Sequence, residues 1–277
     1  MTTARGARVI FKGQDLNHAT GVWYRKPEEL STNTLPVPEN FRGYALSALC
    51  HHFAMLREAF QSAVWMSDYF AIEKMRDKFY QLRLARECGF QVPDTLLTSS
   101  RERAEAFIAA NSPCIVKPQA TVHPVVDDVS TFFYATLINS NATVSLEGLH
   151  LAPAIFQRAV DAQYDVRVNV VGDQAFGAVI RNEGVRTSSV RDWRIGHSEG
   201  LMHIDGCELP PDIVSKCVTF AKRSRLLFSA FDFAVDWEGG FWFLEDNPNG
   251  QWAFIEERTR QPIGRSIAIL LAAGPRG

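Results

Sequence analysis

The sequence predicts an α/β (α+β) fold in two lobes behind a small N-terminal portion. Two observations carry this. Between residues 67 and 118 helical and strand patterns alternate, and beyond about residue 130 the chain turns β-rich and is punctuated by tight turns. The 277 residues suffice for a sizeable core in one large domain or in two to three lobes. Hydrophobic residues make up 46% and charged residues 22%, the balance of a globular chain. A net charge of −2 argues against a broad nucleic-acid surface. The start "MTTARGARVIFKG" lacks an apolar core of the secretory type, and "SIAILLAA" is too short to span a bilayer. Five cysteines without a C-x-x-C pair read as reduced and mostly core, in a cytoplasmic protein that binds neither nucleic acid nor membrane.

The elements follow in order. "RVIFK" and "GVWYR" read as short strands, followed by the polar, proline-bearing loop "KPEELSTNTLPVPEN". A helix runs from about Phe41 to Ala63. A second carries Ile72, Met75, Phe79 and Leu82 at helical spacing and stops before Gly89 and Pro93. Strand "TLLT", helix "SRERAEAFIAAN" and strand "PCIVKP" complete the alternating region. Strands follow at "TFFYATLIN", "AIFQRAV", "DVRVNVVGD" and "QAFGAVIRN", with "GD" as the turn between the last two. The stretch "PPDIVSKCVTFAKRSRLLF" reads as one helix entered through proline. Then comes the hairpin "FDFAVDWEGGFWFLEDNPNGQW", and two helices, around "WAFIEERT" and "PIGRSIAILLAA", end the chain.

That hairpin concentrates chemistry. Strand residues two apart share a face, so Glu245 and Asn247 point together and Asp246 points away. Asp232 lies 13 residues before Glu245, and the Gly239-Gly240 turn returns its strand alongside. Two carboxylates and an amide oxygen on a rigid sheet suit Mg²⁺, which takes one or two carboxylates plus phosphate oxygens. Taken alone, a polar hairpin with capping Asp and Asn residues is the competing reading. Lys117 ends the apolar strand "PCIVKP", where it either snorkels to solvent or meets a phosphate. Lys78 sits on an amphipathic helix. Asp165 and Arg167 share a strand face, Arg181 ends its strand, and Arg194 follows a serine-rich turn. Such arginines either clamp a phosphate or oxyanion or form surface ion pairs.

In this order, Lys78, Lys117, "AIFQRAV", "DVRVNVVGD", "DWR" and "FDFAVD…FLEDNPNGQW" resemble the ATP-grasp carboxylate–amine ligases. "GVWYRKPE", "VRDWR" and "NPNGQW" resemble their ribosomal-peptide maturase branch, the microviridin or graspetide macrocyclases related to RimK-type ligases. The resemblance runs from about residue 21 to the end. It implies a reduced N-terminal portion over residues 1–66 and an ATP-grasp domain over 67–277, with a middle lobe at 67–157 and a C-terminal lobe at 158–277. It implies Mg²⁺ on Asp232, Glu245 and Asn247, and ATP contacts from Lys78 and Lys117. Gln157, Arg158 and Val160 would form the adenine hinge, Asp165 would meet the ribose, and Arg167 would lie on the nucleotide side. Arg181 and Arg194 would face the acyl phosphate and its tetrahedral successor.

The implied reaction joins an ATP-activated side-chain carboxylate to a hydroxyl or amine of a precursor peptide. The alternatives are ligation of an amino acid to a small carboxylate and a degenerate binding module. A homodimer is a candidate assembly. Four departures from the family pattern stand out: no glycine in "PQATVHPVVDDVSTFF", Arg158 where an acid is common, no glycine in "AFDF", and a shortened N-terminal domain.

Overall fold

The computed structural model describes residues 9–25, 35–119, 145–182 and 202–274, with the short stretches 2–3, 6–7, 125–126, 129–130 and 135–138. The N-terminal portion pairs β1 (Gly21–Val22) in parallel with β2 (Val64–Trp65), joined through the long helix α1 (Glu39–Ala59). The second helix expected from sequence is two: α2 (Tyr69–Lys74) and α3 (Lys78–Glu87). Asp68 caps the first by accepting the Phe70 and Ala71 N–H groups, and Asp77 caps the second by accepting that of Tyr80 at 3.0 Å. The new start shifts the helical phase. Phe79, expected in the apolar stripe, is 46% exposed, and Gln81 is buried instead.

Next comes a four-stranded antiparallel sheet with a helix on one face. It comprises β3 (Thr95–Thr98), α4 (Arg101–Ala110), β4 (Cys114–Pro118), β5 (Thr136–Ile138) and β6 (Ala154–Arg158), in the order β5-β4-β6-β3. Ala104 of α4 packs with Cys114, Ile138 and Phe156. Strand alternation and register put Thr95, Leu97, Ile115, Lys117, Ile155 and Gln157 together on the opposite face.

The larger sheet is also antiparallel, in the order β9-β8-β7-β10-β11. Its strands are β7 (Ala162–Val171), β8 (Gln174–Asn182), β9 (Met202–Cys207), β10 (Phe228–Asp236) and β11 (Phe241–Asn247). The "GD" turn forms between β7 and β8, with Gly172 at φ +60°. Helix α5 (Pro211–Arg223) ends earlier than its sequence pattern suggests. Arg225 adopts a left-handed φ of 60°, which breaks the helix and lets Phe228 open β10.

One face of this sheet packs against α3 and α5. There Phe90, Phe220, Phe231, Phe233 and Phe243 contact one another with ring centroids 5.2–6.5 Å apart. The other face packs under α6 (Ala253–Thr259) and α7 (Ile263–Ala272), through Phe228, Ala230, Ile255, Ile263 and Ile267. Trp23 and Met66 of the N-terminal portion join that second cluster. Ala71, Ile72, Met75, Leu82, Leu84, Ala85 and Phe90 are buried in the core of the larger sheet, whereas the sequence reading assigns this segment to the middle lobe. All five cysteines are free, but only Cys114 and Cys217 are buried, fewer than expected, and Cys50 is exposed.

Candidate active site

Register places Asp232 opposite Glu245 and Ala230 opposite Asn247. Cross-strand partners share a face, so Asp232, Glu245 and Asn247 converge. A bulge makes this compatible with the core. The pairing skips Leu244, so Phe243 pairs with Phe233 on the apolar face while Glu245, two residues on, emerges on the other. The Asn247 amide donates to Glu245 Oε1 at 2.9 Å and to Asp232 Oδ2 at 3.3 Å.

Asp246 points the opposite way, into the core, at 1% exposure. Neither of its carboxyl oxygens has a hydrogen-bond partner of good geometry among the described residues. Burial pushes this carboxyl up to about 8; Ser229 and Lys78 pull against the rise, and Glu245 and Asp232 add to it.

Cations close on the carboxylates from two directions. Arg167, cross-strand from Asp232, donates Nε to Oδ1 at 2.6 Å and an NH2 hydrogen to Oδ2 at 2.9 Å. Its NH1 group donates to the Gln251 carbonyl at 3.3 Å. Lys78, first residue of α3, puts Nζ 2.6 Å from Glu245 Oε2. Lys117 donates to Gln157 Oε1 at 3.2 Å, and Gln157 in turn donates to Thr95 Oγ1 at 2.9 Å. Burial alone would raise the Glu245 carboxyl, but Lys78 and Lys117 outweigh it and hold Glu245 far below the usual range. Burial and the like charge of Lys78 lower Lys117, against the pull of Glu245. Thus the Lys117 face of the smaller sheet, the start of α3 and the carboxylates of the larger sheet form one electrostatic unit. A cavity of about 390 Å³ opens beside it, lined by Asp77, Lys78, Phe79, Leu97 and Ile155.

Other expected residues lie elsewhere or do other work. Arg158 stacks its guanidinium 4.8 Å from the Trp242 ring centre and pairs with Asp94 at 3.9 Å. Val160 sits where the chain leaves β6 for β7. Asp165 shares the face of Arg167. Arg181 is not brought to the cluster. Its register with β7 puts it, with Val179, on the face opposite to Arg167, where it pairs with Asp205 at 3.5 Å and lies 5.4 Å from the Tyr164 ring centre. Arg194 lies outside the described residues. Asp236 builds the turn: Oδ1 accepts the Glu238 and Gly240 N–H groups and Oδ2 accepts Trp242 Nε1 at 2.7 Å. The turn has Gly239 at φ +81°, and a Cβ on Gly240 would fall 2.7 Å from Asp236 Oδ2.

No protein-family model matches the chain, and no curated protein matches its sequence. Solved structures do match. A RiPP-associated ATP-grasp ligase from Chryseobacterium gregarium, in complex with ADP and a leader and core peptide, superposes at TM-score 0.85. It is 23% identical, over 98% of this chain and 85% of that one. Macrocyclase MdnB from Microcystis aeruginosa MRC matches at TM-score 0.76 and 25% identity, over 99% and 85%. ATP-grasp ligase PsnB, complexed with minimal precursor, Mg and ADP, matches at 0.73 and 23%, over 96% and 84%. The fold is ATP-grasp.

In this ATP-grasp chain the fit to a metal can be judged from the donors. Among the described residues no group of three or more His, Cys, Asp or Glu is placed to hold an ion. Asp232 and Glu245 are two carboxylates with one amide beside them. That set suits Mg²⁺ arriving with phosphate oxygens, not an all-protein cage. By donor type the residues present fit Mg–nucleotide; as placed, Arg167, Lys78 and the Asn247 NH2 group take up the Asp232 and Glu245 oxygens, so a metal would exchange some of these contacts for its own.

Sequence reasoning missed two residues that brace this candidate site. Gln81 bonds the backbone of Asp246 on both sides. Arg25 donates to the Asn249 carbonyl at 3.0 Å from a segment whose Trp23 stacks on Trp252, centroids 6.2 Å apart. A glutamine inside an apolar helical stripe was the one available signal for the first; the second lies in the stretch "GVWYRKPE" quoted for its resemblance, which gave Arg25 no role.

Proposed function

We propose that the chain is an ATP- and Mg²⁺-dependent ligase acting on a ribosomally made precursor peptide. It activates a side-chain carboxylate as an acyl phosphate and passes it to a hydroxyl or amine, forming an ester or amide. The observation that carries this reading is the Lys78–Glu245–Lys117 unit, in which Lys78 at the start of α3 and Lys117 of the smaller sheet act on a carboxylate of the larger sheet beside an open cavity. Peptides in the solved structures of the same fold support the substrate class.

In this reading Asp232, Glu245 and Asn247 would hold Mg²⁺. Bound there, the metal supplies charge neutralisation to the phosphate oxygens. Lys78 and Lys117 contact the phosphates. Leu97, Ile115 and Ile155 offer the apolar bed for a base, with Val160 as the adenine-reading backbone. The Gln157 and Arg158 backbones already pair within the sheet, which narrows the hinge to the residues after them. Asp165 faces the ribose. Arg167 orients Asp232 instead of touching the nucleotide. Arg181 is left out of the site because it occupies the other sheet face. The proposed division is an N-terminal portion at 1–66 and lobes at 67–157 and 158–277, with 71–90 braced on the second lobe. The protein's task is positioning and exclusion of water, which would hydrolyse the acyl phosphate.

Mass spectrometry of candidate precursor with enzyme, ATP and Mg²⁺ tests this. Each bond closed within a peptide removes one water, about 18 Da. Addition of an amino-acid mass without dehydration supports the amino-acid ligase instead and overturns the maturase reading.

A further inference from the structure

We infer that Gln81 is a positioning residue of this site: its side-chain amide completes the open edge of β11 and so holds Lys78 on Glu245. The inference rests on the nucleotide reading above. Among the described residues β11 is the last strand of its sheet, and apart from an isolated bridge of Trp242 to Gln91 its outer N–H and C=O groups have no strand beside them. Two groups from the preceding segment supply one. The Gln91 carbonyl accepts the Phe243 N–H at 2.8 Å. Gln81 then treats Asp246 as a neighbouring strand would: Oε1 accepts the Asp246 N–H at 2.9 Å and Nε2 donates to the Asp246 carbonyl at 2.9 Å. The same Nε2 donates to the Met75 carbonyl at 2.5 Å. At 1% exposure this amide has its acceptor and both donor functions directed at backbone.

The consequence is geometric. Met75 ends α2, and Asp77 and Lys78 open α3 beside the cavity. Lys78 lies three residues before Gln81, on the same side of the helix. Asp246 lies between Glu245 and Asn247. One side chain therefore joins the segment that carries the lysine to the segment that carries the carboxylate and amide. Sliding α3 would draw Lys78 Nζ away from Glu245 Oε2, now 2.6 Å apart. Apolar anchoring of α3 does not need an amide here, because Leu82, Leu84 and Ala85 already provide it.

The test uses the full chain and Mg–ADP as probe, titrated by calorimetry, with melting curves. Gln81→Met keeps length and removes every hydrogen bond. It should weaken Mg–ADP about tenfold or more and raise the Mg²⁺ concentration for half-maximal ADP binding. It should also speed hydrogen exchange at the Asp246 amide without ligand. Ser224→Ala is the structural control. It removes a buried hydrogen bond to the Phe220 carbonyl (2.8 Å), made within the α5 end and not to α3 or β11. It should keep wild-type affinity whatever its melting loss. Gln81→Glu keeps the acceptor for the Asp246 N–H and should fall between; it decides the matter if Gln81→Met does not fold. Wild-type affinity in the folded Gln81 variants overturns the inference and leaves the nucleotide reading standing. A wild-type chain that binds no Mg–ADP overturns both.

Discussion

Adjacent residues Glu245 and Asp246 face opposite sides of one strand, and substituting each by its amide should separate two kinds of carboxylate. Glu245→Gln keeps shape and removes a charge that faces Lys78 at 2.6 Å, with both side chains 27% exposed. Breaking a buried ion pair costs about 3–5 kcal/mol and an exposed one about 0.2–1 kcal/mol. Intermediate burial places the expected loss at about 1–2 kcal/mol, or roughly 2–6 °C in melting temperature. The variant should fold and lose at least about 10²-fold in kcat, because the missing charge acts where phosphoryl charge develops.

Asp246→Asn should behave in the opposite sense. Its carboxyl rises from 3.8 to about 8 on folding. Between those values the folded state holds a proton that the unfolded chain releases. This contribution to stability is fully present below about pH 4 and is lost as pH rises to about 8. Its slope is at most about 1.4 kcal/mol per pH unit. Asparagine, neutral throughout, removes that slope. At pH 7.5 Asp246→Asn should melt no lower than wild type, and its advantage should shrink toward pH 5, while turnover stays close to wild type. Melting curves from pH 5 to 8.5 and ATP turnover at pH 7.5 give the answer. If Asp246→Asn is folded and as inactive as Glu245→Gln, the assignment of faces is wrong. An unchanged pH slope would show that Asp246 is ionised in the fold.

Two further outcomes are expected. Arg167→Met leaves Asp232 without its bidentate partner at side-chain exposures of 5% and 12%, so urea unfolding should show a loss of about 3–5 kcal/mol. The double variant Arg167→Met/Asp232→Asn should regain more than half of it, and a double variant no more stable than the single would refute the pairing argument. Saturating Mg–ATP at a hundredfold excess over Kd should stabilise the chain by about 2.7 kcal/mol; folded protein that shows no calorimetric binding contradicts the nucleotide reading.

What the sequence determined by itself was local. Strand alternation assigned Glu245 and Asn247 to one face and Asp246 to the other, the Gly239-Gly240 pair closed the hairpin, and the spacing back to Asp232 foretold the opposed carboxylates. These features depend on a period of two and on turn chemistry within a few residues. Tertiary structure decided the rest. Asp77 divided an apparently continuous helix and exchanged Phe79 for Gln81 at the buried position. Cross-strand register gave Arg167 to Asp232 and sent Arg181 to the far face. Lys78 met Glu245 across 167 residues of chain, and Arg167 met Asp232 across 65. Periodicity gives the direction of a side chain relative to its own element. Only packing fixes which element it faces, and that is where the ion pairs, the buried glutamine and the raised carboxyl of Asp246 arise.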